Sequence, residues 1–207
     1  MKSTIVGADQ VDPRINFFDQ LAPRWDTDCS NPAETLRRLD ELEKRLNLHP
    51  GQQLLELGCG TGQLTSWLAR RVQPGRVVAA DFSAQMLSRA RAIAADATFE
   101  QLDICHEPSA KGPFAVVFCF NAFPHFRDKP AALRNIAKCL VPSGNFTALH
   151  LAGRDKLNAF HKGLREPICY DLLPTKQEWI ELLEKAQLQL SVFEDEESLF
   201  LLQAKRV

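Results

Sequence analysis

The stretch that decides the fold reads Gln53-Leu54-Leu55-Glu56-Leu57-Gly58-Cys59-Gly60-Thr61-Gly62, an apolar run that leads directly into three alternating glycines. The residues that follow, from Leu64 to Ala69, are largely apolar and predict a helix. Glycine permits the dihedral angles of a tight strand-to-helix turn, and it removes the Cβ atoms that would keep a ligand away from the backbone. The segment therefore predicts a strand, a cofactor-binding turn and a helix.

The spacing of the glycines separates this turn from two other cofactor motifs. A dinucleotide-binding turn has the pattern Gly-x-Gly-x-x-Gly, whereas here Gly62 is followed by Gln63. A nucleoside triphosphate site would need Gly-Lys-Ser/Thr, which is absent from this turn. Two alternatives stay open: a nicotinamide-dinucleotide-dependent oxidoreductase or epimerase on a similar fold, and a non-catalytic cofactor-binding regulatory protein.

Composition predicts one domain over residues 1–207, because 207 residues with 45% hydrophobic content can bury a full core. With a net charge of -1, the chain has no excess of positive charge that would attract nucleic acid or an anionic membrane. The first nine residues lack the apolar stretch of a secretory signal, and the chain has no apolar run of membrane-spanning length. We expect a cytoplasmic monomer or homodimer with a small-molecule substrate and no nucleic-acid or membrane partner.

The six cysteines include no Cys-x-x-Cys pair, which predicts free thiols in a reducing compartment; they are Cys29, Cys59, Cys105, Cys119, Cys139 and Cys169. His150, His161 and Cys169 could be drawn together around a metal. Their spacing is not a standard zinc pattern, so we predict no metal.

Strand-like and helix-like segments alternate along the chain. Helices are predicted over Arg14–Trp25, Pro32–Leu48, 63–72, 83–95, 128–140 and Thr175–Ala186, the fifth ended by Pro142 and Gly144. Strands are predicted over Gln53–Leu57, Arg76–Ala80, Ala97–Leu102, Phe114–Phe120, Asn145–Leu151, Gln187–Phe193 and Ser198–Ala204. The last two strands flank the acidic turn 194–197 and form an antiparallel pair. The rest predicts an α/β fold with a parallel sheet covered by helices on both faces.

An ordered set of features runs along the chain: Glu56, the glycine turn, Asp81 ending the next strand, Asp103 after the third strand and the terminal hairpin. This set resembles the class I S-adenosylmethionine-dependent methyltransferases of the small-molecule type. The resemblance covers residues 50–207. It implies a Rossmann-like three-layer sandwich, with a seven-stranded, mostly parallel sheet whose last strand is antiparallel. It also implies S-adenosyl-L-methionine as cofactor and in-line methyl transfer to an acceptor.

The resemblance implies a set of cofactor-binding residues. The turn residues Gly58, Cys59, Gly60, Thr61 and Gly62 would pass beneath the methionine and ribose, and Glu56 would orient the turn and the amino end of the cofactor. Asp81 would bind the ribose, because a carboxylate accepts hydrogen bonds from two vicinal hydroxyls. Asp81 could instead belong to the cap of the next helix, although Ser83 is the better cap.

The adenine is expected between Phe82 and Met86, with Asp103 and Ile104 at its edge. Asn121 would lie beside the transferred methyl group. Met86 also fits a core position, and Asp103 also fits a solvated loop.

Four residues are candidates for work on the acceptor: His125, His150, Arg154 and His161. His125 could act as a base, because imidazole titrates near neutral pH, or it could cap a helix or line a wall. Arg154, Asn158, His161 and Arg165 form one helical stripe that could face either the acceptor or solvent.

Two segments are expected to complete the pocket. Residues 150–174 form an insertion beyond the carboxyl ends of the strands, where open α/β sheets bind ligands. Residues 1–48 form an N-terminal helical lid. Its aromatic residues Phe17, Phe18 and Trp25 could close over a ligand or pack against the core.

Overall fold

The computed structural model describes residues 12–29, 31–94 and 96–207. The prediction about the first nine residues lies outside the described residues. The prediction of a free thiol at Cys29 concerns a side chain that the structure does not describe. None of the helices that the structure describes is long and apolar enough to cross a membrane.

The described residues form one sheet of seven strands in the order β3-β2-β1-β4-β5-β7-β6. The strands are β1 Gln53–Leu57, β2 Arg76–Asp81, β3 Ala97–Gln101, β4 Phe114–Phe120, β5 Leu140–His150, β6 Leu188–Glu196 and β7 Leu199–Arg206. Strand β7 runs antiparallel to both of its neighbours, and the pairs from β3 to β5 are parallel. The predicted Rossmann-like fold is confirmed.

Helices cover both faces of this sheet: α1 Pro13–Leu21, α2 Pro32–Leu42, α3 Thr65–Val72, α4 Ala84–Ile93, α5 Lys129–Cys139, α6 Arg154–Lys162 and α7 Lys176–Lys185. On one face, Leu39 of α2 and Trp67 of α3 pack against the strands. On the other face, Ile136 of α5 and Trp179 of α7 do so. These four helices bury apolar side chains against the sheet, which is why the layers stay together.

The helix predicted over Arg14–Trp25 is divided. Helix α1 ends at Leu21, and a 3₁₀ turn over Ala22–Arg24 and a π-helical turn over Trp25–Cys29 follow. Pro23 lies at the division, where its ring and missing N–H interrupt the α-helical hydrogen bonds. Helix α2 begins as predicted, because the side chain of Asn31 accepts a hydrogen bond from the Glu34 N–H.

Strand β5 begins at Leu140, whereas the predicted strand begins at Asn145, so the predicted start was wrong and Pro142 and Gly144 lie within β5. The pairing of β4 with β5 shifts between Phe114 and Val116, which marks a bulge. A bulge leaves residues outside the regular hydrogen-bond ladder, and a proline is therefore tolerated there.

The acidic turn was also placed wrongly, because β6 continues through Glu194, Asp195 and Glu196. Asp195 is paired with Phe200, and the turn comes after Glu196. Strand β6 lies at the edge of the sheet, where outward-facing charged residues are accommodated by solvent. A run of acids therefore does not by itself end an edge strand.

Two glycines of the turn after β1 are required by close packing. Gly58 has a φ of 71°, and a Cβ there would lie 2.3 Å from Ala122 Cβ, just beyond β4. Gly62 has a φ of 83°, and a Cβ there would lie 3.0 Å from Ala90 Cα of α4. At Gly60 the nearest neighbour of a Cβ would be Trp25 Nε1 at 4.0 Å, so Gly60 is the position that leaves room for a ligand.

Gly62→Ala should lower the free energy of unfolding more than Gly51→Ala does, measured by urea denaturation. Both glycines have a positive φ, but a Cβ at Gly51 meets nothing within 4 Å. Gly51→Ala therefore reports conformational strain alone, about 1–2 kcal/mol. Gly62→Ala adds the contact with the α4 backbone. Equal losses in the two variants would contradict the packing role of Gly62.

Candidate cofactor and acceptor site

Two cavities meet at the carboxyl ends of β1 and β4 and share Trp25, Gly58, Gly60 and Asn121. The first has a volume of about 710 Å³, including the part open to solvent. Its lining includes Phe18, Asp81, Phe82, Met86, Asp103, Ile104 and His125. The second is lined by residues that include Glu34, Arg38, Glu56, Cys59 and Thr61. Together they form one trough at the edge of the sheet where α/β folds bind ligands.

Asp81 is the buried acid at the centre of the first cavity. Its Oδ2 accepts a hydrogen bond from the Gly60 N–H at 2.9 Å, and its Oδ1 accepts one from the Ser83 N–H at 2.9 Å. The side chain of Ser83 caps α4 by accepting from the Met86 N–H at 3.1 Å. Burial raises the pKa of Asp81 to about 6, although these two backbone donors oppose the shift. Asp81 thus ties the glycine turn to the start of α4.

Glu56 is the buried acid of the second cavity. Its carboxylate accepts a hydrogen bond from Thr65 Oγ1 at 2.6 Å and is 2% exposed. Burial raises the pKa of Glu56 to about 8. A buried carboxyl group of this kind is ready to pair with a cation that enters the trough.

The remaining predicted cofactor residues line the trough. An apolar part of the wall is formed by Phe82, Met86 and Ile104. Met86 also belongs to a buried cluster, so a place in the core and a place in the cavity wall are compatible. The Asp103 carboxylate accepts a hydrogen bond from the Cys105 N–H at 2.9 Å and borders the first cavity. Asn121 has a φ of 51° and lies where the two cavities join.

The N-terminal segment lies across this trough. Phe18 and Trp25 line the first cavity, with their ring centroids 5.9 Å apart, and Phe17 packs on Phe18. Asp26 accepts hydrogen bonds from Thr61 Oγ1 and Gln63 Nε2, both at 2.6 Å. These contacts hold the segment over the glycine turn.

The same segment is also attached to α4. Asp19 accepts hydrogen bonds from Ser83 Oγ and from the Gln85 N–H at 3.2 Å. Sequence reasoning missed Asp19 and Asp26. The signal that could have found them is the recurrence of acids at every seventh position, Asp12, Asp19 and Asp26, along a segment of aromatic residues.

His125 lies on the 3₁₀ turn Phe123–His125 that follows β4, and it lines the first cavity. Its Nδ1 lies 2.8 Å from Oδ2 of Asp171. Its ring faces that of Phe18, with centroids 5.0 Å apart. Sequence reasoning missed Asp171, which the structure brings from the segment between α6 and α7.

Two residues of the polar stripe of α6, Asn158 and His161, are buried. Asn158 exchanges two hydrogen bonds with the backbone of Leu173, at 2.8 and 3.0 Å, and His161 Nδ1 is bonded to the backbone carbonyl of Asp171. The ring of His161 lies 5.2 Å from that of His125. Arg165 is not on this stripe, because α6 ends at Lys162. The stripe therefore holds residues 171–173 in place behind His125.

The two other predicted catalytic residues lie away from the first cavity. His150 ends β5 at 1% exposure, and neither of its ring nitrogens has a hydrogen-bond partner. Burial lowers the pKa of His150 to about 3, and the nearby His125 and His161 add to this shift. Arg154 forms ion pairs with Asp155 and Asp195 and lines a separate depression. Among the described residues, no group of three His, Cys, Asp or Glu side chains is arranged to hold a metal.

Comparison with known proteins agrees with this geometry. Residues 54–144 match the model of a family described as a methyltransferase domain. Methyltransferase GfsG of Streptomyces halstedii is 27% identical over 164 residues, with 74% of this chain and 59% of that protein covered. Demethylmenaquinone methyltransferase of Thermus thermophilus is 31% identical over 140 residues, with 64% of this chain and 63% of that protein covered.

A solved structure of DhpI in complex with S-adenosylhomocysteine shares the fold. The TM-score is 0.71 and the sequence identity is 19%. The match covers 93% of this chain and 94% of that one. The family match and the shared fold support the resemblance to class I S-adenosylmethionine-dependent methyltransferases that was predicted from the glycine turn. It spans less than two thirds of the length of each of the two curated relatives.

In the His150→Leu variant, the free energy of unfolding should fall less steeply as the pH is lowered. An unfolded histidine binds a proton near pH 6.5, whereas His150 in the folded protein does so only near pH 3. The unfolded state therefore gains protons first, and His150 removes up to about 5 kcal/mol of stability as the pH falls across this window. Unfolding free energies from pH 7 to pH 4 would show the change. His106→Leu, at an 80% exposed side chain, is the control. Parallel curves for His150→Leu and wild type would contradict the argument.

Proposed function

We propose that this protein transfers a methyl group from S-adenosyl-L-methionine to a small-molecule acceptor by in-line displacement. The observation that carries the proposal is that Asp81, suited to a ribose, and His125, suited to an acceptor, line one cavity. The curated relatives support it, because both are named as methyltransferases and one is named for demethylmenaquinone, a small organic molecule. The nicotinamide alternative has no such support.

The residues of the trough fit the cofactor. Gly60 has no Cβ and leaves room for a ligand beside the glycine turn. The buried acids Glu56 and Asp81 suit a cationic ligand with vicinal hydroxyls. In this proposal Asp81 accepts from the ribose hydroxyls, and Asp103 and Ile104 meet the adenine edge. Glu56 meets the amino end in the second cavity. The bound cofactor supplies an electrophilic methyl group on a cationic sulfur.

The acceptor half is formed by aromatic and polar side chains. Phe18, Trp25 and Phe126 exclude water from the cavity and orient an acceptor, and His125 is the member of the four predicted catalytic residues that lines it. His161 lies behind His125, and His150 is buried below the cavity surface. We therefore assign contact with the acceptor to His125. Arg154 is assigned no part in the reaction.

Asp81→Ala should weaken binding of S-adenosylhomocysteine by about 1 to 3 kcal/mol, or about 5- to 150-fold in Kd, because the ribose loses its acceptor. Titration calorimetry measures the affinity. Asp81→Asn shows how much of the loss comes from the backbone contacts of Asp81, since an amide oxygen can still accept one of them. Asp195→Ala, on the far strand β6, is the control. An unchanged Kd for Asp81→Ala would remove Asp81 from the site, and tight binding of NADH without binding of S-adenosylhomocysteine would overturn the function.

Binding of S-adenosylhomocysteine at pH 7 should release about one proton, mainly from Glu56, whose pKa of about 8 keeps the free protein protonated there. The cationic amino end of the ligand favours the carboxylate, so its arrival expels the proton. Calorimetry in phosphate and Tris buffers, which differ in ionisation enthalpy, gives the number of protons. Glu56→Gln should abolish the release, and it should disappear in the wild type above about pH 9. A binding enthalpy that does not depend on the buffer would contradict the placement of the amino end.

A further inference from the structure

Asp171 connects three elements around the acceptor half of the cavity. Its carboxylate accepts hydrogen bonds from Arg14 Nε of α1 at 3.0 Å and from Arg14 Nη2 at 2.5 Å. The same carboxylate meets His125 Nδ1 at 2.8 Å, and its backbone carbonyl meets His161 Nδ1. The residue is 1% exposed, so these contacts are made away from solvent.

These contacts fix where the imidazoles carry their protons. A carboxylate and a carbonyl can only accept hydrogen bonds, so the neutral rings of His125 and His161 must both carry hydrogen on Nδ1. Each ring then has its lone pair on Nε2. A histidine whose other nitrogen donates to an acceptor behind it is held in one tautomer and one orientation.

We propose that Asp171 is a positioning residue that makes His125 a general base, and that the acceptor is therefore a compound whose nucleophilic atom must lose a proton, with a hydroxyl as the favoured group. This inference rests on the proposed function. As the acceptor oxygen forms its bond to the methyl carbon and the bond from that carbon to sulfur breaks, the hydroxyl proton passes to His125 Nε2. The positive charge of the sulfonium is lost and that of an imidazolium appears, so the charges balance.

The surroundings support the charge that this step creates. Burial by itself would raise the pKa of Asp171, but the hydrogen bonds from His125 and Arg14 lower it below the ordinary value, so the carboxylate is ionised. An ionised carboxylate beside His125 stabilises the imidazolium. Burial, together with the charge of His125, lowers the pKa of His161, so His161 is neutral and does not compete for the proton.

Three other titratable groups lie near His125: His150, Lys129 and Arg14. Burial lowers the pKa of His150, which ends β5, to about 3. Burial also lowers the pKa of Lys129 of α5, whose Nζ donates to the carbonyls of Pro124 and Phe126. Arg14 is charged, because its hydrogen bond to Asp171 raises its pKa. Of these groups, Arg14 bonds directly to the Asp171 carboxylate, as His125 does.

Asp171→Asn is the decisive variant. The strong donors of Arg14 hold the amide oxygen, so the NH₂ group turns toward His125 Nδ1 and forces the ring into the Nε2–H tautomer. Nitrogen-15 correlation spectra of the protein saturated with S-adenosylhomocysteine report the tautomer of each histidine. We expect His125 to change from Nδ1–H to Nε2–H, while His161 stays Nδ1–H because its acceptor is a backbone carbonyl.

The same variant is tested for turnover with methyl-labelled S-adenosylmethionine and a library of hydroxyl, thiol and amine acceptors. Turnover on hydroxyl acceptors should fall about 10²–10⁴-fold, the range for loss of general-base catalysis, with the Kd for S-adenosylhomocysteine unchanged. Asp171→Glu keeps a carboxylate and should retain more activity than Asp171→Asn. The tautomer measurement decides the positioning role even before an acceptor is found.

Asp40→Asn is the matched control. Asp40 also accepts from an aromatic ring N–H, Trp67 Nε1 at 2.8 Å, and from a guanidinium, Arg71 Nη2 at 2.6 Å, but it does not line the trough. This variant should leave the tautomer of His125 and the turnover unchanged. The inference is overturned if wild-type His125 is Nε2–H, if Asp171→Asn changes neither tautomer nor turnover, or if only amines are methylated. A wild-type protein that binds no S-adenosylhomocysteine would instead defeat the proposed function.

Discussion

The buried carboxylate of Asp81 bonds to two backbone N–H groups, and the cofactor half of the site depends on this arrangement. Gly60 and Ser83 belong to two different strand-to-helix turns, which Asp81 holds at hydrogen-bond distance on either side of one acid. Each of those turns opens a helix, α3 in one case and α4 in the other. The α4 backbone in turn packs against Gly62 of the first turn. The position of the trough is thus fixed by one carboxylate and one missing Cβ.

Where the determinants of the fold are local, the sequence was sufficient to predict them. Strands β1 and β4 were predicted with the bounds that the structure has, because each is an apolar run flanked by helix-breaking or polar residues. The start of β5 and the end of β6 were not, because they depend on neighbours. A bulge opposite Phe114 accommodates Pro142, and the edge position of β6 accommodates its acids. Neither the bulge nor the edge position can be predicted from the local sequence pattern.

The site divides in the same way. The glycine turn and Asp81 form a short strand–helix–strand unit, so their spacing was enough to place both beside a cofactor. The contact of His125 with Asp171 joins residues 46 positions apart, and that of Ser83 with Asp19 joins residues 64 positions apart. Such partners are set by tertiary packing. Periodicity found the stripe of α6, but it could not tell whether the stripe faces solvent, the acceptor or the segment behind His125.

One N-terminal segment touches both halves of the trough. Asp26 bonds to the glycine turn, Asp19 to the start of α4, and Arg14 to the carboxylate behind His125. A segment that has these three attachments can be fully docked only when the cofactor half and the acceptor half are both in place. Because Arg14 helps to keep Asp171 ionised, docking of the segment also sets the electrostatic surroundings of His125. The contacts that hold this segment over the glycine turn and the contact that orients the Asp171 carboxylate behind His125 therefore depend on the same stretch of chain.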